Sequence, residues 1–315
     1  MKRTFALAFA ALLAPLALIL AAACSPEPPR EQPAAQPAVS LLPPVRIALL
    51  PERNVFEQKK RYQPIQEFLS ARIGRPVEFK LLDNYQLIFA EIVDKRVEGG
   101  FFGSMNGTIA QLKGGVEMLA RPVDLNGVST YSGLIFTREG SGITRDPRSW
   151  RGKRMAFVNK VTTAGYLYPL DLIRRTGFAG EPEEYFAKAI FTGSHDAAIL
   201  AVFNGEADVG ACKNTVYDGY VRLHPEVARA MSVLSESPQV PQNGLGVRPD
   251  LPAELRAQLR DALIGMNESE EGQRTLRLFQ AQAFIPTTLA DYEPVISMAR
   301  GAGIDLAAWP LREIH

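Results

Sequence analysis

Cysteine is nearly absent from this chain: two of its 315 residues are cysteines, Cys24 and Cys212. A chain with so few cysteines cannot be held together by a framework of internal disulfides. Cys212 follows two small residues in an apolar stretch, where a thiol is more often a small buried side chain than a nucleophile. Cys24 has a different setting, which is described below.

Histidine and excess charge are scarce as well. The chain has three histidines, His195, His224 and His315, and no clustered acidic pair, so it lacks the spacing of metal ligands. Lysine and arginine number 35 against 34 acidic residues, and this net charge of +1 gives no electrostatic reason to expect nucleic acid. We therefore expect no metal, no cofactor and no nucleic-acid partner.

The first 23 residues have the pattern of a secretory signal peptide. Two basic residues are followed by an apolar run that ends in three alanines directly before Cys24. A cysteine in this place resembles the lipobox of a bacterial lipoprotein, although Ala21 stands where such boxes usually have leucine. The run is also long enough for an uncleaved membrane anchor. Residues 24–44 are rich in proline, alanine and glutamine, like a tether, and this favours a lipoprotein that is lipidated on Cys24.

From residue 45 onward, strand patterns alternate with helix patterns. The first set has predicted strands at 45–50, 77–82 and 98–103 and predicted helices at 60–73, 85–93 and 105–112. The second set has strands at 153–158, 207–210 and 243–248, helices at 166–176 and 195–203, and further helices from 251 to about 304. Because no series of hairpins with a period of two appears, we expect an α/β fold with largely parallel sheets.

The length and the 46% hydrophobic content suggest about two domains. We place domain 1 at 45–134 and 245–315, and domain 2 at 135–244. The chain then crosses near 131–137 and returns near Asn243, so that two crossover strands join the domains. A crevice at the ends of such strands is where open α/β sheets bind ligands.

The segment from Ala189 to Ala211 carries the most chemistry. We predict a buried strand that ends at Phe191, a turn, a helix that begins near Ser194, and a second strand. The free N–H groups of that helix start, beside a hydroxyl and the His195 imidazole, make an anion site. Taken alone, the segment fits equally well with Ser194 as a simple helix cap.

Two motifs resemble a known family. The runs FVNKVTTAGYLYPL at 157–170 and FTGSHDAAILAVFNGEADVGA at 191–211 are similar to those of the phosphonate, phosphite and phosphate substrate-binding proteins of bacterial ABC transporters. The resemblance extends to the GFFG run at 100–103 and to the segment before the return strand. It implies a type II periplasmic binding fold, with two α/β domains joined by two crossover strands and a ligand cleft between them.

The resemblance also implies which residues bind the ligand. Thr162 and Thr163 match the family's hydroxyl pair, and Ser194 and His195 match the helix turn that contacts the phosphorus-borne oxygens. Tyr131 and Tyr85 match aromatic residues beside the ligand, although either also fits as a core tyrosine. Ser104 and Asn106 are candidate donors at another helix start.

Two positions depart from the family pattern and bear on ligand choice. Asn243 stands where aminoalkylphosphonate-binding relatives have an aspartate, and Ala164 replaces a hydroxyl. We therefore expect a small anion such as phosphite, phosphate or methylphosphonate. Lys213 could add a charge that this interpretation does not place.

The resulting function is that of a monomeric lipoprotein of the periplasm or cell envelope. It would bind a small phosphorus oxyanion, deliver it to an ABC permease, and contact the membrane through its N-terminal lipid. The alternative is a sensor lipoprotein that signals to a membrane receptor or kinase. Catalysis is not expected, because Ser194, His195 and Asp196 are successive helix positions that point in different directions.

Overall fold

The computed structural model describes residues 42–311. The predicted signal peptide, Cys24 and most of the predicted tether lie outside this range. Within it, no helix combines the length and the apolar character that crossing a membrane requires. The same residues contain no group of three or more histidine, cysteine or acidic side chains that could hold a metal ion.

Thirteen strands form within the described residues. They are β1 (Val45–Leu49), β2 (Val77–Leu81), β3 (Gly99–Phe102), β4 (Glu117–Asp124), β5 (Thr130–Tyr131), β6 (Gly133–Arg138), β7 (Arg154–Phe157), β8 (Lys188–Phe191), β9 (Val209–Lys213), β10 (Met231–Glu236), β11 (Val240–Pro241), β12 (Gly244–Val247) and β13 (Ala281–Pro286).

Eleven α-helices accompany these strands in the same range. They are α1 (Val55–Ile73), α2 (Leu87–Val93), α3 (Ser104–Gly114), α4 (Tyr168–Arg174), α5 (Pro182–Tyr185), α6 (His195–Phe203), α7 (Asn214–Leu223), α8 (Pro225–Ala230), α9 (Ala253–Ile264), α10 (Glu270–Phe279) and α11 (Glu293–Gly301). A π-helical turn at Thr163–Leu167 leads directly into α4, and short 3₁₀ turns lie at Pro147–Trp150, Gly265–Glu268 and Leu289–Tyr292.

The strands form two large sheets. A six-stranded sheet has the order β13-β4-β12-β3-β1-β2, and a five-stranded sheet has the order β10-β6-β9-β7-β8. We call the parts of the chain built on these sheets lobe 1 and lobe 2. The chain passes from lobe 1 to lobe 2 through β5 and returns through β11, and these two short strands pair antiparallel.

Both sheets are mixed, so the expectation of largely parallel sheets was wrong. β1 pairs parallel with β2 and β3, and β7 pairs parallel with β8 and β9. The strands β4, β6, β10, β12 and β13 pair antiparallel. The parallel pairs are those joined by crossover helices, which need a helix to bring the chain back to the same edge. Four of these antiparallel strands, β4, β6, β10 and β12, directly precede or follow the passages between the lobes, and β13 pairs with β4.

The strand that ends at Phe191 was predicted to be buried, and this was wrong too. β8 is the edge strand of its sheet, and the Phe191 side chain is 39% exposed. The helical run predicted up to residue 304 is interrupted by β13, which was not predicted. Neither were β4 and β10.

The hydrophobic core has two clusters. One packs α1, α9 and α10 against one face of the lobe 1 sheet, around Tyr62, Phe101 and Phe279. The other joins the opposite face of that sheet to lobe 2 and includes Tyr292 and Val295 at the start of α11. Buried apolar area stabilises both clusters, and this packing fixes the positions of the strand ends between them.

Candidate functional site

The carboxyl-terminal edges of the two sheets meet across a cleft. From lobe 1 come the loop after β1, which carries Glu52, and the turn after β3, which leads into α3. From lobe 2 come the segment after β7, which carries the two threonines, and the start of α6. Asn243 directly precedes β12, whose first residue pairs with Phe102 at the same edge of the lobe 1 sheet.

These segments enclose a cavity of about 10 Å³, about the room that one water molecule needs. Its lining residues are Glu52, Tyr85, Gly103, Ser104, Met105, Asn106, Tyr131, Val161, Thr162, Thr163, Ala164, His195, Lys213 and Asn243. The structure therefore brings together every predicted ligand-binding residue except Ser194, which is not among those that line the cavity. Sequence reasoning did not assign Glu52 or Lys213 to the site.

The second-lobe wall is the start of the π-helical turn. The Thr162 hydroxyl donates to the carbonyl of Asn159 at 2.6 Å, which fixes the turn. The Thr163 hydroxyl is buried and makes no hydrogen bond to the described residues. The first N–H groups of any helix also lack partners within that helix. An unpaired hydroxyl and free amides at one place suit a ligand that accepts hydrogen bonds.

The first-lobe wall is the start of α3. Ser104 and Asn106 are fully buried there. The Ser104 hydroxyl donates to the carbonyl of Pro241 at 2.5 Å, so its proton is directed at the β11 strand. The Asn106 amide nitrogen lies 3.4 Å from the carbonyl of Val161 in lobe 2. The Tyr85 hydroxyl is buried and, among the described residues, has no partner.

His195 lines the cavity, and its two ring nitrogens have different roles: Nδ1 bonds the protein, and Nε2 is left for a ligand. Its Nδ1 accepts a hydrogen bond from the backbone N–H of Lys213 at 3.1 Å, so Nδ1 carries no proton. Burial lowers the pKa of this imidazole to about 4 despite the opposing charge of Glu52. The ring is therefore neutral at pH 7 and has its proton on Nε2, where it acts as a hydrogen-bond donor.

A buried ion pair crosses the cleft. The Lys213 ammonium lies 3.3 Å from Glu52 Oε1 and 3.1 Å from Asn243 Oδ1, and 4.3 Å from the centre of the Tyr131 ring. Burial lowers the pKa of Lys213 to about 8, with Glu52 acting against this shift. Burial raises the pKa of Glu52, but Lys213 and neighbouring arginines outweigh it and lower the value to about 2. Both groups are charged at pH 7.

The start of α6 forms hydrogen bonds between the two lobes, and most of its polar groups are used there and not in the cavity. The His195 N–H donates to the carbonyl of Glu52 at 3.1 Å. Asp196 accepts from the N–H of Asn54 at 2.7 Å, and it also bonds Ser194 and the first turn of its own helix. Ser194 accepts from the N–H of Ala197 as a helix cap. Protein groups therefore occupy the helix start beside Ser194. Of its first residues, His195 lines the cavity.

This arrangement favours a small ligand rich in acceptor atoms. The cavity offers the hydroxyls of Tyr85 and Thr163, the His195 Nε2–H, helix-start amides and one ammonium group. Charge-assisted hydrogen bonds from several such donors offset the cost of removing an oxyanion from water. The sequence signal that could have found Glu52 and Lys213 is their position, because Glu52 lies just after β1 and Lys213 ends β9, at the edges that face the cleft.

Known proteins resemble this chain in sequence and in fold. The model of the family described as "ABC transporter, phosphonate, periplasmic substrate-binding protein" matches residues 47–292. A phosphate-import protein, PhnD, from Mycolicibacterium smegmatis is 27% identical over 206 residues. That alignment covers 64% of this chain and 63% of the relative, so the chain spans less than two thirds of the relative's length. A probable ABC transporter phosphite binding protein, PhnD1, from Prochlorococcus marinus is 21% identical over 282 residues, with 81% and 89% coverage.

Solved structures show the same fold. The binding component of an ABC phosphonate transporter from Pseudomonas aeruginosa superposes with a TM-score of 0.76 at 20% identity, covering 83% of this chain and 87% of that one. Prochlorococcus PhnD1 in complex with methylphosphonate gives a TM-score of 0.72 at 19% identity, with 82% and 98% coverage. Because the family model spans most of the folded chain and these structures share its fold, the chain belongs to the periplasmic substrate-binding proteins of phosphonate ABC transporters.

Proposed function

We propose that this protein binds a small phosphorus oxyanion (phosphite, phosphate or an alkylphosphonate) between its lobes and delivers it to an ABC permease. The observation that carries the proposal is the cavity between the two sheets, in which buried hydroxyls without partners stand beside a neutral imidazole donor and an ammonium group. Groups of this kind are costly to bury unless a ligand satisfies them.

The residues that line the cavity support the choice of ligand, because they bring hydroxyl, imidazole and ammonium donors together. Asn243 is uncharged and its side-chain oxygen accepts from Lys213, whose ammonium group also pairs with Glu52. The names of the relatives point to phosphate and phosphite, and one relative was solved with methylphosphonate.

Delivery of the ligand to a permease depends on contacts that both lobes make with the ligand. A ligand held by Thr163 of lobe 2 and Tyr85 of lobe 1 binds the closed arrangement better than an open one, and so shifts the population toward it. A permease that recognises the closed form would then receive loaded protein. We assign residues 45–134 and 245–315 to one domain and 135–244 to the other. We place the protein outside the cytoplasm as a monomer that is lipidated on Cys24.

Isothermal titration with phosphite, phosphate and methylphosphonate tests the ligand. We expect heat with at least one of them and none with a neutral sugar. His195→Ala should weaken binding roughly ten- to a hundredfold, since a hydrogen bond to a charged group is lost. His224→Ala is the matched control, because this half-exposed histidine packs on Tyr220 away from the cavity. No heat with any of the three anions would remove the assignment.

A further inference from the structure

The cavity contains acceptors as well as donors, and Glu52 is the one that carries a negative charge among the residues that line it. Glu52 is 3% exposed, and its carboxylate faces the same space as the hydroxyls and the imidazole. Its Oε1 accepts from Lys213, while its Oε2 has no hydrogen-bond partner among the described residues. A bare carboxylate oxygen repels a fully ionised oxyanion, but it binds a ligand that still carries an acidic proton.

The charges in the cavity point the same way. Lys213 and Glu52 cancel each other formally, and His195 is neutral. The remaining donors are neutral hydroxyls and amides. A divalent anion would enter without a free counter-charge and would face the Glu52 carboxylate directly, which is costly in a site screened from water.

We propose that Glu52 accepts a hydrogen bond from a P–OH group, so that the site selects the hydrogen-bearing monoanion of its ligand over the dianion and over tetrahedral anions that lack an acidic proton. This rests on the proposed function and specifies it further. No bond to phosphorus forms or breaks, and the proton stays with the ligand in a charge-assisted hydrogen bond to the carboxylate.

The groups around Glu52 keep their charge while such a ligand titrates. Glu52 faces Lys213 at the end of β9, His195 on α6, Arg53 in its own loop and Arg61 on α1. The pKa values of Glu52, His195 and Lys213 are about 2, 4 and 8. Tyr62, Tyr85 and Tyr131 are buried nearby, and burial raises their pKa values above 10.0. Between pH 5 and 7 the ligand is therefore the group that changes charge.

The first experiment needs no variant. Phosphite binding is measured by titration calorimetry at pH 5, 6 and 7 beside hypophosphite, a tetrahedral phosphorus monoanion that has no P–OH group. Phosphite loses its second proton somewhat above the value of about 6 that phosphate monoesters show, so its affinity should fall about threefold between pH 5 and 7, in step with the fraction of monoanion. Hypophosphite should bind at least tenfold more weakly at pH 5 and show no change with pH. Phosphite affinity that stays level or rises with pH would overturn the proposal, whereas absence of binding to phosphite, phosphate and methylphosphonate would instead remove the proposed function.

The second experiment assigns the effect to one residue. In Glu52→Gln the side chain gains an N–H donor for the dianion, so the loss of phosphite affinity between pH 5 and 7 should disappear or reverse. Glu57→Gln, an exposed change five residues along the same segment, should keep the wild-type loss. Thermal melting checks that both variants are folded. If Glu52→Gln weakens phosphite and hypophosphite equally and keeps the wild-type pH profile, Glu52 serves only to hold Lys213 and the proposal fails.

Discussion

At the scale of single residues, two adjacent threonines have different tasks. The Thr162 hydroxyl is satisfied within its own turn by the carbonyl of Asn159. The Thr163 hydroxyl is buried with no partner among the described residues. A buried polar group that lacks a hydrogen bond costs free energy of folding, and such a cost persists where the group serves a ligand. Thr163 is therefore the hydroxyl of this pair that we propose to bind the ligand.

Thr163→Val should weaken oxyanion binding roughly ten- to a hundredfold, because a hydrogen bond to a charged ligand is lost. The free energy of unfolding of the free protein should stay the same or rise, since the variant removes an unsatisfied polar atom. Titration calorimetry and urea denaturation measure the two quantities.

Thr162→Val is the matched control, and it should lower stability more than it lowers ligand affinity. It removes a hydrogen bond that the free protein makes, so the free energy of unfolding should fall by about 1 kcal/mol. If Thr163→Val destabilised the protein as much as Thr162→Val and bound ligand normally, the Thr163 hydroxyl would be structural.

The sequence predicted much of the site but not its charges. The hydroxyl pair and His195 lie in motifs that resemble those of the family, and the structure places all three residues around one cavity. Ser194 lies in the same motif but caps α6, because Asp196 and the Glu52 carbonyl occupy that helix start. The Glu52–Lys213 pair joins residues 161 positions apart. Such a pairing depends on how the lobes approach one another, which no local pattern encodes.

At the scale of elements, the start of the π-helical turn packs directly on the end of β7. Gly165 lies against Val158, and a Cβ atom on Gly165 would come within 2.5 Å of the Val158 side chain and 2.9 Å of the Thr162 hydroxyl. The absence of a side chain at this position lets the helix start approach the sheet. Its amides and Thr163 are thereby held at the cavity.

Gly165→Ala should displace this helix start from β7. Because Val158 is fully buried and has little space to move, the free energy of unfolding should fall by about 1–3 kcal/mol, the usual cost of overpacking. Oxyanion affinity should fall as well, since Thr163 moves with the turn. Thermal melting and titration calorimetry measure both.

Gly219→Ala provides the contrast for that substitution. Gly219 lies inside α7 with nothing within 4 Å of the added methyl group, and alanine favours a helix interior by about 0.5–1 kcal/mol over glycine. This variant should be slightly more stable and bind normally. A Gly165→Ala protein that behaved like Gly219→Ala would contradict the packing argument.

The elements themselves were predictable where the pattern was strong. The alternation of strands and helices identified β1, β3, β7, α1 and α6, because each has a clear apolar period and a turn after it. β13 was taken for part of a helical run, since its residues, AQAFIP, lack strict alternation and pairing with β4 decides their conformation. The mixed direction of the sheets also depends on long-range pairing rather than on local preference.

At the scale of the whole molecule, the lobes are linked by polar contacts that do not touch the cavity. The Asn54 N–H donates to Asp196 at 2.7 Å and joins the start of α1 in lobe 1 to the start of α6 in lobe 2. If ligand binding requires the closed arrangement, affinity depends on how often the free protein reaches it. A contact of this kind then affects binding without meeting the ligand.

Asp196→Ala should therefore lower the affinity for phosphite and for phosphate by the same factor, up to about tenfold, because a hydrogen bond to a charged acceptor no longer favours closure. Ligand dissociation should become faster, and small-angle scattering should show a larger radius of gyration for the free variant than for the wild type. Asp146→Ala is the matched control: this aspartate accepts from Arg148 in an exposed turn of lobe 2, so affinity should not change. If Asp196→Ala altered the preference between the two anions, Asp196 would act on the ligand itself. An unchanged affinity would mean that this contact between α1 and α6 does not affect closure, or that closure does not limit binding.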